Sequence, residues 1–455
     1  MKRSMLLLLG VHLVYISMLS IAVGQAPTDE TERNRFVGLQ DAIQKIRSAR
    51  FSDYEGRVGV HVESAKAFEE MQKYLLQRYE GVEAVNSFVR DDAYVDCIKI
   101  ESQPSVRQQG IREIAKPPAS SEVEGGSRRV DPGQSRNAES PLKLGLKDRF
   151  GNPVSCREGT IPMNRVTLDE LVRYGTLRDF FAKVPRGKTV PTPPRKDSEL
   201  RPDWEGTHLH AYGDQSVTNY GGNSWLDLWS PSGDFSISQQ WYVGGSGGNT
   251  QTVEGGWQVF PDKYHTNKAV LFIYWTADNY DKTGCYNLDC SGFVQTNSNW
   301  HLGGTWDNYS STGDGQWGFE LQWKLFSGNW WLLLKGSGNF EAVGYYPTSI
   351  YNRGQLATNS TRIVYGGEVA RKTGDVWPQM GSGAQANAGW QFAAYQNTIF
   401  YIPQDMNGGV GVWASLTARD EALSSCYTID YVSANSGSTW GTYIFFGGPG
   451  ASTCN

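Results

Sequence analysis

No tryptophan occurs before Trp204, although the 455-residue chain contains 16 of them. Basic residues are scarce in the same C-terminal stretch. Residues 201–455 carry 11 Lys+Arg against 20 Asp+Glu, a net charge of −9. That deficit argues against nucleic acid as the partner of this part, because phosphate backbones are held by Lys and Arg. Beyond residue 24 no run approaches the roughly 18 apolar residues that a membrane helix requires. Histidines with zinc-ligand spacing to a cysteine are also missing, which argues against a structural zinc site and leaves no metal or other cofactor to expect. A nucleophilic serine is lacking as well. Gly244-Gly245-Ser246-Gly247-Gly248 formally matches G-x-S-x-G, but the residues that follow read as a strand, where that motif needs a helix.

The first 24 residues have the pattern of a signal peptide. Lys2 and Arg3 precede an apolar run, and Ala22-Val23-Gly24 supplies small residues for cleavage. A secreted, extracellular protein meets an oxidising compartment, where the six cysteines are expected to form three disulfides. Six cysteines allow about 15 pairings. Cys285 and Cys290 are near enough to staple one loop, and Cys426 with Cys454 would then tie down the C-terminus. Cys97 and Cys156 pair with each other if the N-terminal part is ever excised. Asn308-Tyr309-Ser310 and Asn359-Ser360-Thr361 are acceptor sequences for surface glycosylation in a eukaryotic host.

Composition divides the chain in two. All the tryptophans and 37 of the 52 glycines lie at or after residue 204, and a proline-rich stretch, Pro185 to Pro202, sits at the break. Such a stretch is extended, solvated and cleavable. The expected organisation is a signal peptide (1–24), a smaller α+β pro-domain (25–184), a cleavable connector (185–203) and an all-β domain (204–455). Within the pro-domain, Glu63 to Tyr79 carries a helical apolar stripe at Phe68, Met71, Leu75 and Leu76. Arg57 to Val62 and Ala93 to Ile100 alternate like strands. Thr167-Leu168-Asp169-Glu170 reads as a capping box opening one helix with Leu171, Val172, Leu177, Phe180 and Phe181 on its apolar side. Ala115 to Glu139 has no hydrophobic periodicity and reads as a linker. The remainder carries a net +4, so the two halves are electrostatically complementary. After residue 204 come short aromatic and β-branched runs separated by Gly, Asn, Asp and Ser turns. Examples are Ala269 to Tyr274, Trp317 to Phe326, Trp330 to Gly336 and Thr398 to Ile402. This pattern predicts an antiparallel β-sandwich or barrel.

Only six glutamates follow residue 204, and two of them, Glu254 and Glu368, lie inside strand-like runs beside a glycine pair. Side chains alternate across a sheet. Val253, Trp257 and Val259 then share a core face while Glu254 points away with Gly256. In the same way Ile363, Tyr365 and Val369 face inward while Glu368 points away with Gly366. A glycine on the carboxylate face weakens a strand but leaves its backbone open to close approach, as a peptide-binding cleft requires. His208 and His210 flank a single residue, which suits either a metal pair or one strand face.

These motifs resemble the neprosin-type glutamic peptidases, a family of secreted prolyl endopeptidases. The resemblance runs through Val253 to Val259, Cys285 to Gln295, Tyr365 to Val369 and Met380 to Gly383. In the pro-region it runs through Asp96-Cys97-Ile98, Gln103-Pro104 and Cys156 to Pro162. It implies a sandwich of two antiparallel sheets with a cleft across one face, Glu254 and Glu368 as the catalytic pair, and a Cys285–Cys290 bridge. Gln239 or Gln240 is expected near the cleft. Tyr365 stands where the family pattern has tryptophan, so it is a candidate substrate contact. Two carboxylates that approach closely share a proton, so one can activate water while the other donates to the scissile amide. The expected protein is therefore a monomeric zymogen that cleaves polypeptides after proline in acid, with its own pro-segment as inhibitor. The alternative is a carbohydrate-active or carbohydrate-binding sandwich, since paired glutamates also serve glycosidases and tryptophans stack on sugars.

Overall fold

The computed structural model describes residues 36–119, 137–138, 146–183, 208–403, 411–432 and 440–454. The expected signal peptide, the proline-rich connector and most of the polar stretch 115–139 lie outside these residues. The described residues from Gly38 onward form one compact unit, with the N-terminal elements packed on the β-domain.

Ser64 caps the helix Ala65–Tyr79 by accepting from the Ala67 N–H at 3.2 Å. The apolar stripe of this helix buries Phe68, Met71 and Leu75. Strands β1 (Ala84–Arg90) and β2 (Ala93–Lys99) form an antiparallel hairpin, and β4 (Thr160–Asn164) pairs with β2. Between them in sequence, β3 (Asn137–Ala138) pairs with the larger sheet of the β-domain. A Cys97–Cys156 disulfide ties β2 to the segment preceding β4. Two expectations fail here. Arg57 to Val62 is not a strand, because Gly56 and Gly59 adopt φ of 77° and 78° and turn the chain. The helix expected from Thr167 is two short ones, Leu168–Leu171 and Leu177–Phe181, each with its own cap. The reciprocal capping box belongs to Thr176 and Asp179 rather than to Thr167 and Glu170. The competing local start at Thr176 divides the stripe.

The β-domain is the expected antiparallel sandwich. Its smaller sheet has the order β17 (Thr417–Asp420), β5 (Leu209–Asn219), β14 (Ser360–Ala370), β7 (Phe235–Gly244), β8 (Gln251–Val259) and β9 (Val270–Thr276). The larger sheet runs β10 (Val294–Gln295), β13 (Glu341–Pro347), β12 (Asn329–Lys335), β11 (Trp317–Phe326), β6 (Gly221–Asp227), β15 (Ala394–Tyr401), β19 (Tyr443–Gly447) and β18 (Thr428–Val432). A short β16 (Val412–Trp413) pairs with β15. Val253, Trp257, Ile363, Tyr365 and Val369 share one buried core with Leu321, Trp323, Trp330 and Phe446 of the opposite sheet. Trp257, Trp300, Trp306, Trp323, Trp330, Trp331 and Trp377 are among the most deeply buried side chains, so these tryptophans are packing residues and not a sugar platform. Disulfides Cys285–Cys290 and Cys426–Cys454 complete the expected set. Both sequon asparagines are half-buried. The hydroxyl of Ser310, by contrast, is buried against Asp227 Oδ1 at 2.6 Å.

The glycines beside the two glutamates have a different cause from the one inferred above. A Cβ on Gly256 would lie 1.9 Å from the Ser238 carbonyl oxygen, and one on Gly366 would lie 2.3 Å from that of Ala211. It is the neighbouring strand, not an incoming ligand, that approaches the backbone. We expect Gly256→Ala to cost about 2 kcal/mol, as overpacking does, measured by urea unfolding. A stability equal to that of the parent would contradict the crowding.

Candidate active site

Three adjacent strands carry the centre of the site on the outer face of the smaller sheet. Glu368 lies on β14, Gln239 on β7 and Glu254 on β8. In register, Gln239 pairs with Gly366 on one side and with Gly256 on the other. Glu368 pairs with Ile237 and Glu254 with Trp241, so the two glutamates flank the Gln239 row from opposite ends. Their carboxyl groups meet over it. The Lys183 ammonium, from the N-terminal α+β region, donates to Glu254 Oε2 at 2.7 Å and to Glu368 Oε2 at 2.7 Å. The two oxygens are therefore separated by at most twice that distance.

Each carboxylate has a different set of neighbours. Glu254 Oε1 accepts from the Thr252 hydroxyl at 2.7 Å and from the Tyr280 hydroxyl at 2.7 Å. Both are neutral donors. Glu368 Oε2 accepts from Gln239 Nε2 at 2.6 Å, and its Oε1 lies 2.5 Å from His208 Nδ1. His210 Nε2 stands 3.8 Å from Glu368 Oε2. Both glutamates are buried, with side-chain exposures of 0% and 2%. Burial works to raise the Glu368 carboxyl, but Lys183 and the two imidazoles outweigh it and hold this group well below the usual carboxylate range. For Lys183 burial works downward, and the two carboxylates reverse it and push the ammonium above its ordinary value. Burial also raises the Tyr280 phenol, with Glu254 adding to the effect, so Tyr280 stays a hydrogen-bond donor.

Of the two glutamine candidates, the structure brings only Gln239 to the site. Gln240 points into the sandwich, where its Nε2 donates to Ser224 Oγ at 3.0 Å and to the Leu321 carbonyl at 2.8 Å. Tyr365 is likewise interior, with its hydroxyl 3.1 Å from that of Tyr242, so it cannot contact substrate on the outer face. Strand parity explains both corrections. Gln240 and Tyr365 are each an odd number of positions from the cleft residue on their own strand.

Several residues escaped sequence reasoning. Tyr280 reaches Glu254 because Asn279 and Tyr280 both take the left-handed conformation, with φ of 57° and 62°. His208 and His210 had the right spacing for one strand face, and their rings meet carboxylates. Lys183 carried no sequence signal at all. The chain from Phe181 to Lys183 lies against the sheet face that carries both glutamates, with the Phe181 carbonyl accepting from Tyr274 at 3.2 Å and that of Lys183 from Tyr286 at 2.7 Å. Just before it, the Arg178 guanidinium donates to the carbonyls of Tyr280, Asp281, Thr283 and Gly284 at 3.1–3.3 Å.

Residues 232–449 match the protein-family model for Neprosin. That span of the β-domain resembles the neprosin family. Among solved structures, the chain is similar to scytalido-glutamic peptidase with a transition-state-analogue inhibitor. That match has 10% sequence identity and a TM-score of 0.28, and covers 53% of this chain and 98% of the other. The matched span contains both glutamates and Gln239 but neither Arg178 nor Lys183. His208 and His210 also precede it.

Proposed function

We propose that this chain is the zymogen of a secreted glutamic endopeptidase in which Glu254 and Glu368 together activate water. The observation that carries the reading is the single ammonium bridging both carboxylates: two buried acidic groups converge on one point of an open sheet face, and a tethered cation occupies it. Once Lys183 leaves, the pair loses its counter-charge and has to hold one proton between them. The surroundings decide where that proton goes. Glu368 keeps Gln239 and two imidazoles, whereas Glu254 keeps only neutral hydroxyls. Glu368 is then the ionised base and Glu254 the protonated acid.

The proposed reaction starts from a water held between the two carboxyls. Glu368 takes its proton as the oxygen attacks the peptide carbonyl carbon. Glu254 hydrogen-bonds to the carbonyl oxygen as charge develops there, with the second N–H of Gln239 as a further donor. Collapse of the tetrahedral intermediate breaks the C–N bond, and the leaving nitrogen receives a proton from the pair. Because one carboxyl must be protonated, activity belongs on the acid side of neutrality. Tyr212 and Trp241 line the same face, their ring centroids 5.9 Å apart. Such rings suit the flat apolar surface of a proline side chain, in keeping with cleavage after proline in unstructured polypeptides.

In this reading residues 25–184 are the inhibitor and 185–203 the segment that is cut. Incubation in acid followed by intact-mass measurement is expected to show loss of about the first 200 residues together with new peptidase activity on a proline-rich polypeptide. Full activity at unchanged mass would remove the zymogen. New reducing ends from a polysaccharide panel, with no new peptide termini, would replace the peptidase by the glycosidase.

A further inference from the structure

One edge strand of the smaller sheet, β17, is followed by a carboxylate with no part in the chemistry above. Glu421 follows β17 directly, and its Oε2 lies 2.6 Å from His210 Nδ1. Its backbone N–H donates to the His210 carbonyl at 3.1 Å, and Tyr212 donates to its Oε1 at 3.4 Å. A carboxylate only accepts, so the proton of the contact sits on Nδ1 of His210. That leaves Nε2 turned toward Glu368 Oε2, 3.8 Å away. The ring therefore stands between two carboxylates, oriented by the hydrogen bond that its Nδ1–H donates to Glu421.

Resting on the reading of Glu368 as the base, we propose that Glu421 and His210 form a positioning pair which, together with His208, keeps Glu368 ionised after Lys183 has gone. Among the described residues, few charged and titratable groups surround His210. They are Glu421 from the end of β17, Glu368 from β14, and His208 and Tyr212 from its own segment, with the Trp241 ring of β7 at 6.3 Å. Around Glu368 the pro-region contributes Lys183, and β7 contributes Gln239. Both histidines follow the 185–203 connector and stay with the enzyme when the pro-region is cut away. Lys183 and the two imidazoles thus act on Glu368 in succession: the first makes the zymogen silent, and the second poises the base.

The test is the pH dependence of kcat/KM in the processed enzyme for Glu421→Gln, Glu421→Asp and His210→Gln. Glu421 is 44% exposed, so Glu421→Gln leaves the core intact. Losing the charge behind His210 should move the acid limb upward by about one pH unit. On that limb the loss is about tenfold, while the plateau changes by less than about twofold. Glu421→Asp should restore most of the parent profile. His210→Gln should move the limb at least as far as Glu421→Gln. A limb that stays in place in both Glu421→Gln and His210→Gln would overturn the proposal, as would a uniform loss at every pH. The parent reading has a separate control. Glu254→Gln and Glu368→Gln must each lose turnover; if neither does, the carboxylate pair itself is wrong.

Discussion

Glu368→Gln should reduce turnover by about 10⁴-fold, while Glu254→Gln should reduce it by nearer 10²-fold. The size follows from what proton transfer by a positioned side chain contributes, about 10²–10⁴-fold. The asymmetry follows from the surroundings of the two groups. An amide at 368 cannot accept the proton of water, so the attack loses its base altogether. An amide at 254 still donates a hydrogen bond to the carbonyl oxygen and loses only the ability to hand over a proton. Both substitutions keep side-chain shape, so each fold should survive, as circular dichroism and unfolding midpoints would register. The measurement is single-turnover cleavage of a proline-containing peptide by the processed variants. Equal losses would remove the division of roles, and substantial activity in both variants would remove the pair as the catalytic centre.

The carboxylate pair was legible in the sequence because strand parity is a local rule. Glu254 and Glu368 could be separated from their cores by counting residues along one strand each. The same count places Gln239 on the outer face and Gln240 in the core, so it decides between two glutamines that the resemblance left open, and it sends Tyr365, a candidate from the family pattern, inward. The sandwich and the three disulfides were equally accessible, since composition and cysteine spacing carry them. What could not be read depends on long-range meetings. Lys183 finds its partners 71 and 185 residues away. It sits two residues past a five-residue helix, beside a proline-rich stretch that reads as solvent-exposed. Tyr280 reaches the site only through consecutive left-handed residues, a conformation that a tyrosine does not announce. His208 and His210 had the correct spacing, but a sequence does not say whether an imidazole faces a metal or a carboxylate.

Replacing Lys183 should weaken latency, and the signs of the charge shifts say at what pH. The Lys183 ammonium is raised above its ordinary value, so its contribution to the closed form is complete below pH ~10 and is lost only in strong base. Acid leaves it untouched. The Glu368 carboxyl is depressed, so its contribution is present above the ordinary carboxylate value of about 4.3 and is lost as pH falls through the depressed one. Mild acid therefore cannot neutralise this arm of the clamp, and its release in the parent chain requires a pH well below that ordinary value. Lys183→Ala removes the counter-ion and leaves two buried carboxylates facing each other. Breaking a buried pair from one side costs about 3–5 kcal/mol, which raises the open fraction on the order of a hundredfold or more. Protonation of the pair then relieves repulsion instead of opposing attraction, so opening begins at a higher pH. We expect the onset of pro-region loss, followed by intact mass across a pH series, to move upward by at least about one pH unit in Lys183→Ala. Arg178 and the tyrosines that hold the Phe181 and Lys183 carbonyls would still retain the segment, so the variant should remain partly latent at neutral pH. An onset identical to that of the parent chain would mean that the bridge contributes nothing to latency, and that the carbonyl contacts alone keep the cleft closed.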